Sequence, residues 1–243
     1  MSQFELVNFS DPESLAVGAS ERWLNVLSAR PAGNTPYCVG LLGGRITRTV
    51  FLHFKELAKR RGGRFDEVHF FWGDERCVPP EHVESNFAVA KEFLLQPLGI
   101  TENQIHRIRG EEPPEFAAAE AEAELRRFAP LNAAGQPVLD LIFLGMGEDG
   151  HVASLFPGEA EETRTAPAVY RAVTASKPPP RRITLGYGAI AAARQVWVLA
   201  SGAGKERALS ESLKPEGGTP LARVLRMREH TVIFTDIKRE GAR

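Results

Sequence analysis

The chain has 243 residues, 43% of them hydrophobic and 25% charged, which is enough apolar content for a sizeable core and the make-up of an ordinary globular protein. A formal net charge of -1 supplies no global basic field of the kind that holds proteins on nucleic acid or anionic lipid, so any anion binding has to be local.

In chain order, the opening MSQFELVNFSDPES is acidic and lacks an apolar run after a basic start, so it reads as neither a signal nor a transit peptide. Apolar spacing predicts a helix over 12–29, and a short apolar run bounded by turn residues predicts a buried strand over 37–42. Further strands are predicted over 68–72, 138–144, 196–200 and 231–235, with helices over 46–60, 85–95, 115–128 and 203–213 between them. This alternation argues for an α/β fold, a mostly parallel Rossmann-like sheet with helices on both faces, because parallel neighbours need a crossover and the crossover is usually a helix. One domain over 1–243 is expected. The segment EEPPEFAAAEAEAELRRF reads as a solvated helix with Pro113 and Pro114 at its start. Two cysteines, Cys38 in a strand and Cys77 in a loop, are too few for a disulfide framework and match no zinc spacing. No apolar stretch approaches the ~20 residues that span a bilayer. The expectation is a soluble cytoplasmic protein with no membrane or nucleic-acid partner.

In open parallel sheets ligands bind beyond the carboxyl ends of the strands. Three strand-end loops are rich in glycine and charge there: LLGGRITRTVF, GDERCVPPEHVESN and GMGEDGHVASLFPG. In the second, Asp74, Glu75 and Arg76 put two carboxylates and a guanidinium at the rim of the sheet, either to touch substrate or to order the loop as a local ion network; Arg76 in particular suits phosphate. Ser85 and Asn86 suit the start of the next helix. In the third, Gly145, Gly147 and Gly150 let the backbone turn sharply and leave N–H groups facing a ligand, as an oxyanion requires. His151 is then either a functional strand-end histidine or a cap for a helix starting near Val152. GMGEDGH is not a dinucleotide fingerprint, since Asp149 and His151 stand where a pyrophosphate turn needs small residues. A fourth stretch, SKPPPRRITLGYG, brings Lys177, Arg181 and Arg182 beside prolines, and ASGAGKERAL puts Lys205 at a helix opening after a strand, where an anion is favoured. It lacks the spacing of a Walker loop. Together these cations suit a phosphate clamp.

The segments WGDERCVPPEHVESNFAVAKEFLL, LDLIFLGMGEDGHVASLFPG and RRITLGYGAIAAARQVWVLASGAGK resemble the 6-phosphogluconolactonases, and the likeness runs from about Trp23 to Asp236. The resemblance implies hydrolysis of 6-phospho-D-glucono-1,5-lactone to 6-phospho-D-gluconate in the oxidative pentose phosphate pathway, with no cofactor and no metal. It implies His151 as general base and Arg76, Lys177 and Arg182 as substrate or phosphate contacts. On this reading Lys177, Arg182 and the Gly43–Gly44 turn fix the phosphate, neutral His151 activates a water, Arg76 or loop N–H groups stabilise the oxyanion, and Asp149 steadies the imidazole. Asp74 and Lys205 complete the expected contact set. Imidazole suits the base role because its ordinary pKa of ~6.5 lies near neutral pH.

The chain departs from the family where a phosphate loop usually reads S-G-G-S-T-P: here residues 42–47 read LGGRIT, keeping the glycines and losing the hydroxyls and the proline. Backbone N–H groups of Gly44 and Arg45 at a helix start, with the Arg45 side chain, are expected to take over. Glucosamine-6-phosphate deaminases and isomerases are the nearest alternative. They resemble this chain but need a glutamate where Phe156 precedes Pro157, and tend to have tyrosine where Arg76 follows the Asp-Glu pair. A non-catalytic sugar-phosphate binding protein is a second alternative. Monomer and homodimer both stay open.

Overall fold

Short runs of branched and aromatic residues, buried along their whole length, make the central strands. In the computed structural model, which describes residues 3–30, 33 and 35–238, they alternate with helices as the spacing predicts. The order begins β1 (Gln3–Asn8), α1 (Pro12–Ser28), β2 (Tyr37–Leu41), α2 (Thr47–Arg61), β3 (Val68–Trp72), β4 (Asp74–Arg76), α3 (Asn86–Ala90) and α4 (Pro114–Phe128). It continues with β5 (Leu141–Gly145), α5 (Glu161–Thr165), β6 (Tyr170–Thr174), β7 (Arg181–Leu185), α6 (Tyr187–Ala192), β8 (Gln195–Ala200), α7 (Glu206–Ser212), α8 (Pro220–Arg226) and β9 (His230–Thr235).

Six strands form one sheet in the order β1-β9-β8-β5-β2-β3, and every pairing in it is parallel. Strands β4, β7 and β6 form a second, antiparallel sheet in that order. The parallel register puts Leu41, Phe143 and Trp72 on one face and Gly40, Ile142 and Phe71 on the other. On the first face Trp23 of α1 stacks on Phe54 of α2 at 3.9 Å and meets Phe143 edge-on at 4.8 Å. On the opposite face Phe128 of α4 lies against Phe71 and His69. Helices therefore cover both faces, as parallel crossovers require.

Four expectations shift. The predicted strand 138–144 begins later, at Leu141, because Val138 bonds back to Pro130 in the preceding turn. The predicted helix 85–95 is α-helical only through Ala90 and finishes as one π turn over Lys91–Leu95. The predicted helix 203–213 starts at Glu206, since Gly204 is left-handed at φ 85°. SKPPPRRITLGYG, expected only as a charged stretch beside prolines, contains β7 and opens α6; its prolines mark the turn of a hairpin with β6. Besides β7, three strands had no expectation at all: β1, β4 and β6. β1 is an edge strand, half-buried along most of its length, and β4 is three polar residues long, so neither carries the apolar run that marks a core strand.

Beside Phe71 and Phe128 lies a chain of titratable groups that the cavity described below does not use. His69 Nδ1 is 2.9 Å from His106 Nε2, and His106 Nδ1 is 2.9 Å from Glu124 Oε1. Burial depresses both imidazoles: for His69 the repulsion of His106 adds to it, and for His106 the hydrogen bond it donates to Glu124 opposes it. A histidine whose folded pKa lies below its unfolded value binds a proton more readily once unfolded. Stability is therefore lost as pH falls from the unfolded pKa of ~6.5 toward the folded value. The carboxyl of Glu75, raised by burial to about 7, works in the opposite sense, its contribution fading as pH rises through that value. The expected outcome is that thermal melts between pH 7.5 and pH 5.5 show a smaller acid loss of Tm in a His69→Phe/His106→Phe protein than in wild type. Equal losses in the two proteins would remove the pair as a source of acid sensitivity.

Candidate active site

The chain leaves β2 for β3 on one side and returns as β5 on the other, so the strand order reverses between β2 and β5. Loops after such neighbouring strands diverge and leave a crevice. A cavity of about 390 Å³ lies there, walled by the carboxyl ends of β2, β5 and β8 and by Gly73 after β3. It brings together Gly43, Gly44, Arg45, Asp74, Arg76, His151, Lys177, Arg182 and Lys205. Of the charged residues singled out from the sequence in these loops, Glu75, Asp149 and Arg181 do not line it, and Asp149 touches the imidazole of one that does.

The loop after β5 is shaped around His151. Met146 and Val152 form an antiparallel bridge across it, and the Gly147 N–H donates to the His151 carbonyl. A Cβ on Gly147 would run into the imidazole, so glycine there lets the ring lie against the backbone. His151 Nδ1 is 2.5 Å from Asp149 Oδ1, which also accepts the His151 backbone N–H at 3.1 Å. Burial raises the Asp149 carboxyl, but the hydrogen bonds from His151 and the attraction of its ring outweigh that and hold it below the usual carboxylate range. An ionised Asp149 keeps the proton on Nδ1 and leaves Nε2 as the basic nitrogen. The ring of Phe156 stands 4.9 Å away, and Ala153, one of the lining residues, is held at φ 49°, a strained conformation for a side chain with a Cβ. No helix begins near Val152, so the alternative capping role for His151 fails.

The Asp-Glu-Arg strand β4 divides its side chains between cavity and scaffold. Glu75 is buried and accepts the N–H groups of Arg76, Asn86 and Phe87 at 2.7–2.8 Å and the Ser85 hydroxyl at 3.1 Å. It orders the loop that enters α3, while Ser85 caps that helix by accepting the Ala88 N–H. Asp74 lines the cavity, yet its carboxylate accepts the Ser154 hydroxyl at 2.7 Å and the Asn86 amide at 3.4 Å. Arg76 donates from Nη1 to the Glu84 carbonyl at 2.5 Å and to Oε2 of that residue at 3.2 Å, while its Nε is buried without a partner.

Two cationic groups face each other in the cavity. On one side Arg182, buried, donates from Nε to the Pro179 carbonyl and lies 5.8 Å from the Phe156 ring. Burial, followed by the repulsion of Arg76, pulls its pKa below the ordinary arginine value. Lys177, in the β6–β7 turn, is exposed beside them. On the other side Lys205 is pulled below the usual lysine range by burial and then by Arg45. Repulsion of this kind, only partly offset by neighbouring carboxylates, is relieved by an anion. The N-terminus of α2 has no side-chain cap and turns Gly44, Arg45 and Ile46 toward the opening, with Gly44 at φ 100° making the turn.

Sequence reasoning missed three lining residues with polar side chains: Thr49, Glu148 and Ser201. Thr49 lies one turn beyond Ile46, so helical spacing after the glycine turn would have found it. Glu148 was in plain view inside the histidine loop but had no assigned role. Ser201 follows β8, and its hydroxyl donates to Asp236.

Among the described residues no helix is long and apolar enough to cross a membrane. The family of glucosamine-6-phosphate isomerases and 6-phosphogluconolactonase matches residues 10–234. The 6-phosphogluconolactonase of Mycobacterium tuberculosis is 33% identical over 210 residues, 84% of each chain. That of Streptomyces coelicolor is 34% identical over 222 residues, 88% of this chain and 84% of the other. The structure of the 6-phosphogluconolactonase from Trypanosoma brucei superposes with a TM-score of 0.82 at 27% identity, covering 97% of both chains. With that match running through both sheets and every loop of the cavity, the chain belongs to the glucosamine-6-phosphate isomerase/6-phosphogluconolactonase family.

Proposed function

We propose that this cavity opens 6-phospho-D-glucono-1,5-lactone to 6-phospho-D-gluconate, with His151 as general base. The observation that carries the reading is the Asp149–His151 contact, which leaves Nε2 basic at the edge of a cavity ringed by Arg45, Arg76, Lys177, Arg182 and Lys205. The cations hold a phosphate. His151 Nε2 takes a proton from water as the water oxygen bonds to the lactone carbonyl carbon, and the pair of the C=O bond moves onto oxygen. Arg76, with an unpartnered Nε, faces the oxyanion so formed. When the intermediate collapses, the bond from that carbon to the ring oxygen breaks and the imidazolium returns its proton to the departing oxygen. A lactone is an activated ester, so the step calls for no redox partner.

The deaminase alternative is disfavoured by Phe156, an apolar ring against His151 where that chemistry needs a carboxylate. A sugar phosphate does not cross membranes unaided, which supports a cytoplasmic reaction in the oxidative pentose phosphate pathway; monomer and homodimer are both compatible with a cavity built within one chain.

His151→Ala is expected to lower kcat by at least ~100-fold with the fold intact, in a lactone assay corrected for spontaneous opening. Near-normal turnover in that variant would remove His151 from the base role. Asp149→Asn keeps an acceptor for Nδ1 and loses the charge, so kcat should drop by more than ~10-fold; the ~10⁴-fold loss known for a buried triad carboxylate is not reached because Asp149 is half exposed. Lys177→Ala and Arg182→Lys should act mainly on KM, since phosphate contacts persist from ground state to transition state. A loss confined to kcat would contradict the phosphate assignment.

A further inference from the structure

Of the carboxylates lining the cavity, Asp74 is held by Ser154 and Asn86, and Glu148 is held by a cation that a ligand would also seek. Glu148 Oε1 sits 3.2 Å from Arg45 Nη2. The two residues come from different loops, after β5 and before α2, and both line the opening. Their side chains are 53% and 81% exposed, so the pair is free to part. Lys205, at the third corner, feels both of them.

We propose that Arg45 and Glu148 form an exchangeable ion pair that governs release of the phosphorylated product. Resting on the lactonase reading above, the exchange runs as follows. In the free protein Glu148 occupies the Arg45 guanidinium. An entering phosphate, with about two negative charges, takes Arg45 from it, because a guanidinium offers its fork to whichever oxyanion is stronger. Hydrolysis then converts a neutral ester into a carboxylate, so the product carries one more negative charge than the substrate. In a cavity with five cationic side chains that extra charge would slow departure. Glu148 counters it in two ways: it repels the product more than the substrate, and it re-pairs with Arg45 as the phosphate leaves, so the guanidinium is not left bare.

Only charge competition at the opening is involved, so Glu148→Gln should leave the fold unchanged while tightening product binding. At fixed ionic strength, calorimetric titration with 6-phospho-D-gluconate should show a Kd lower by roughly two- to fivefold, the range an exposed ion pair contributes. KM for the lactone should fall by a smaller factor. Arg45→Gln should raise Kd and KM. In the double variant the gain from Glu148→Gln should shrink to the part that direct repulsion supplies, because no guanidinium remains to compete for. That non-additivity separates exchange from a general field effect. An unchanged or weaker product affinity in Glu148→Gln overturns the proposal, as does the same tightening in both backgrounds. Product binding needs no turnover. A wild-type protein that opens the lactone without this pattern therefore sinks the exchange alone, and one that neither opens the lactone nor binds the product sinks the reading beneath it as well.

Discussion

The buried carboxylate of Asp74 is the joint on which the site depends. It accepts the Ser154 hydroxyl from the segment that follows His151 and the amide of Asn86, which opens α3. Its own strand is paired in register with Thr184 of β7, whose hydroxyl accepts the Ser154 N–H. One residue thus ties the histidine loop, the helix beyond Arg76 and the hairpin that carries Lys177 and Arg182. The Asn86 side chain also lies against Gly43, so the glycine turn before α2 rests on the same network. A buried carboxylate is costly unless its oxygens are satisfied, and one satisfied by several segments has a single low-energy arrangement. That arrangement fixes the relative positions of the base and the cations before any ligand arrives.

Fixing them has an electrostatic cost, and the cost is functional. Arg76 and Arg182 repel one another, and so do Arg45 and Lys205, with partial relief from Asp74, Glu84, Glu148 and Asp236. The protein holds Arg76 and Arg182 close by donating their hydrogen bonds to backbone carbonyls at Glu84 and Pro179. Charges already in position do not have to reorganise when negative charge develops on the lactone oxygen, which is where enzymes gain most from electrostatics.

The parallel sheet was legible because β2, β3, β5, β8 and β9 are mostly apolar runs with helical patterns between them. The second sheet was not, since β4 is three polar residues and β7 opens on two arginines after three prolines. In those strands hydrophobic patterning gives way in part to chemistry: beside Ile183 and Leu185 the buried positions include Asp74, Glu75, Arg182 and Thr184. The site residues could nonetheless be found from residue type at strand ends. What could not be found was the division of labour inside the Asp-Glu-Arg strand, because whether a carboxylate faces ligand or backbone depends on the three N–H groups that converge on Glu75, and those come from the turn into α3. The pairing of Glu148 with Arg45 was equally hidden, as it joins loops about a hundred residues apart that become neighbours only when β5 docks beside β2.

The outermost strand of the parallel sheet has a consequence for how the chain comes to be folded. β1 is hydrogen-bonded to β9 alone, residue for residue from Gln3 with His230 to Asn8 with Thr235. A polypeptide emerges from the ribosome amino end first, so this strand has no ladder to join until the final strand has been synthesised. Its docking is a contact of large sequence separation, Gln3 with His230, the kind whose loop-closure entropy must be met before any return is gained. The sheet margin at β1 thereby stays unfinished while everything between these two strands is translated.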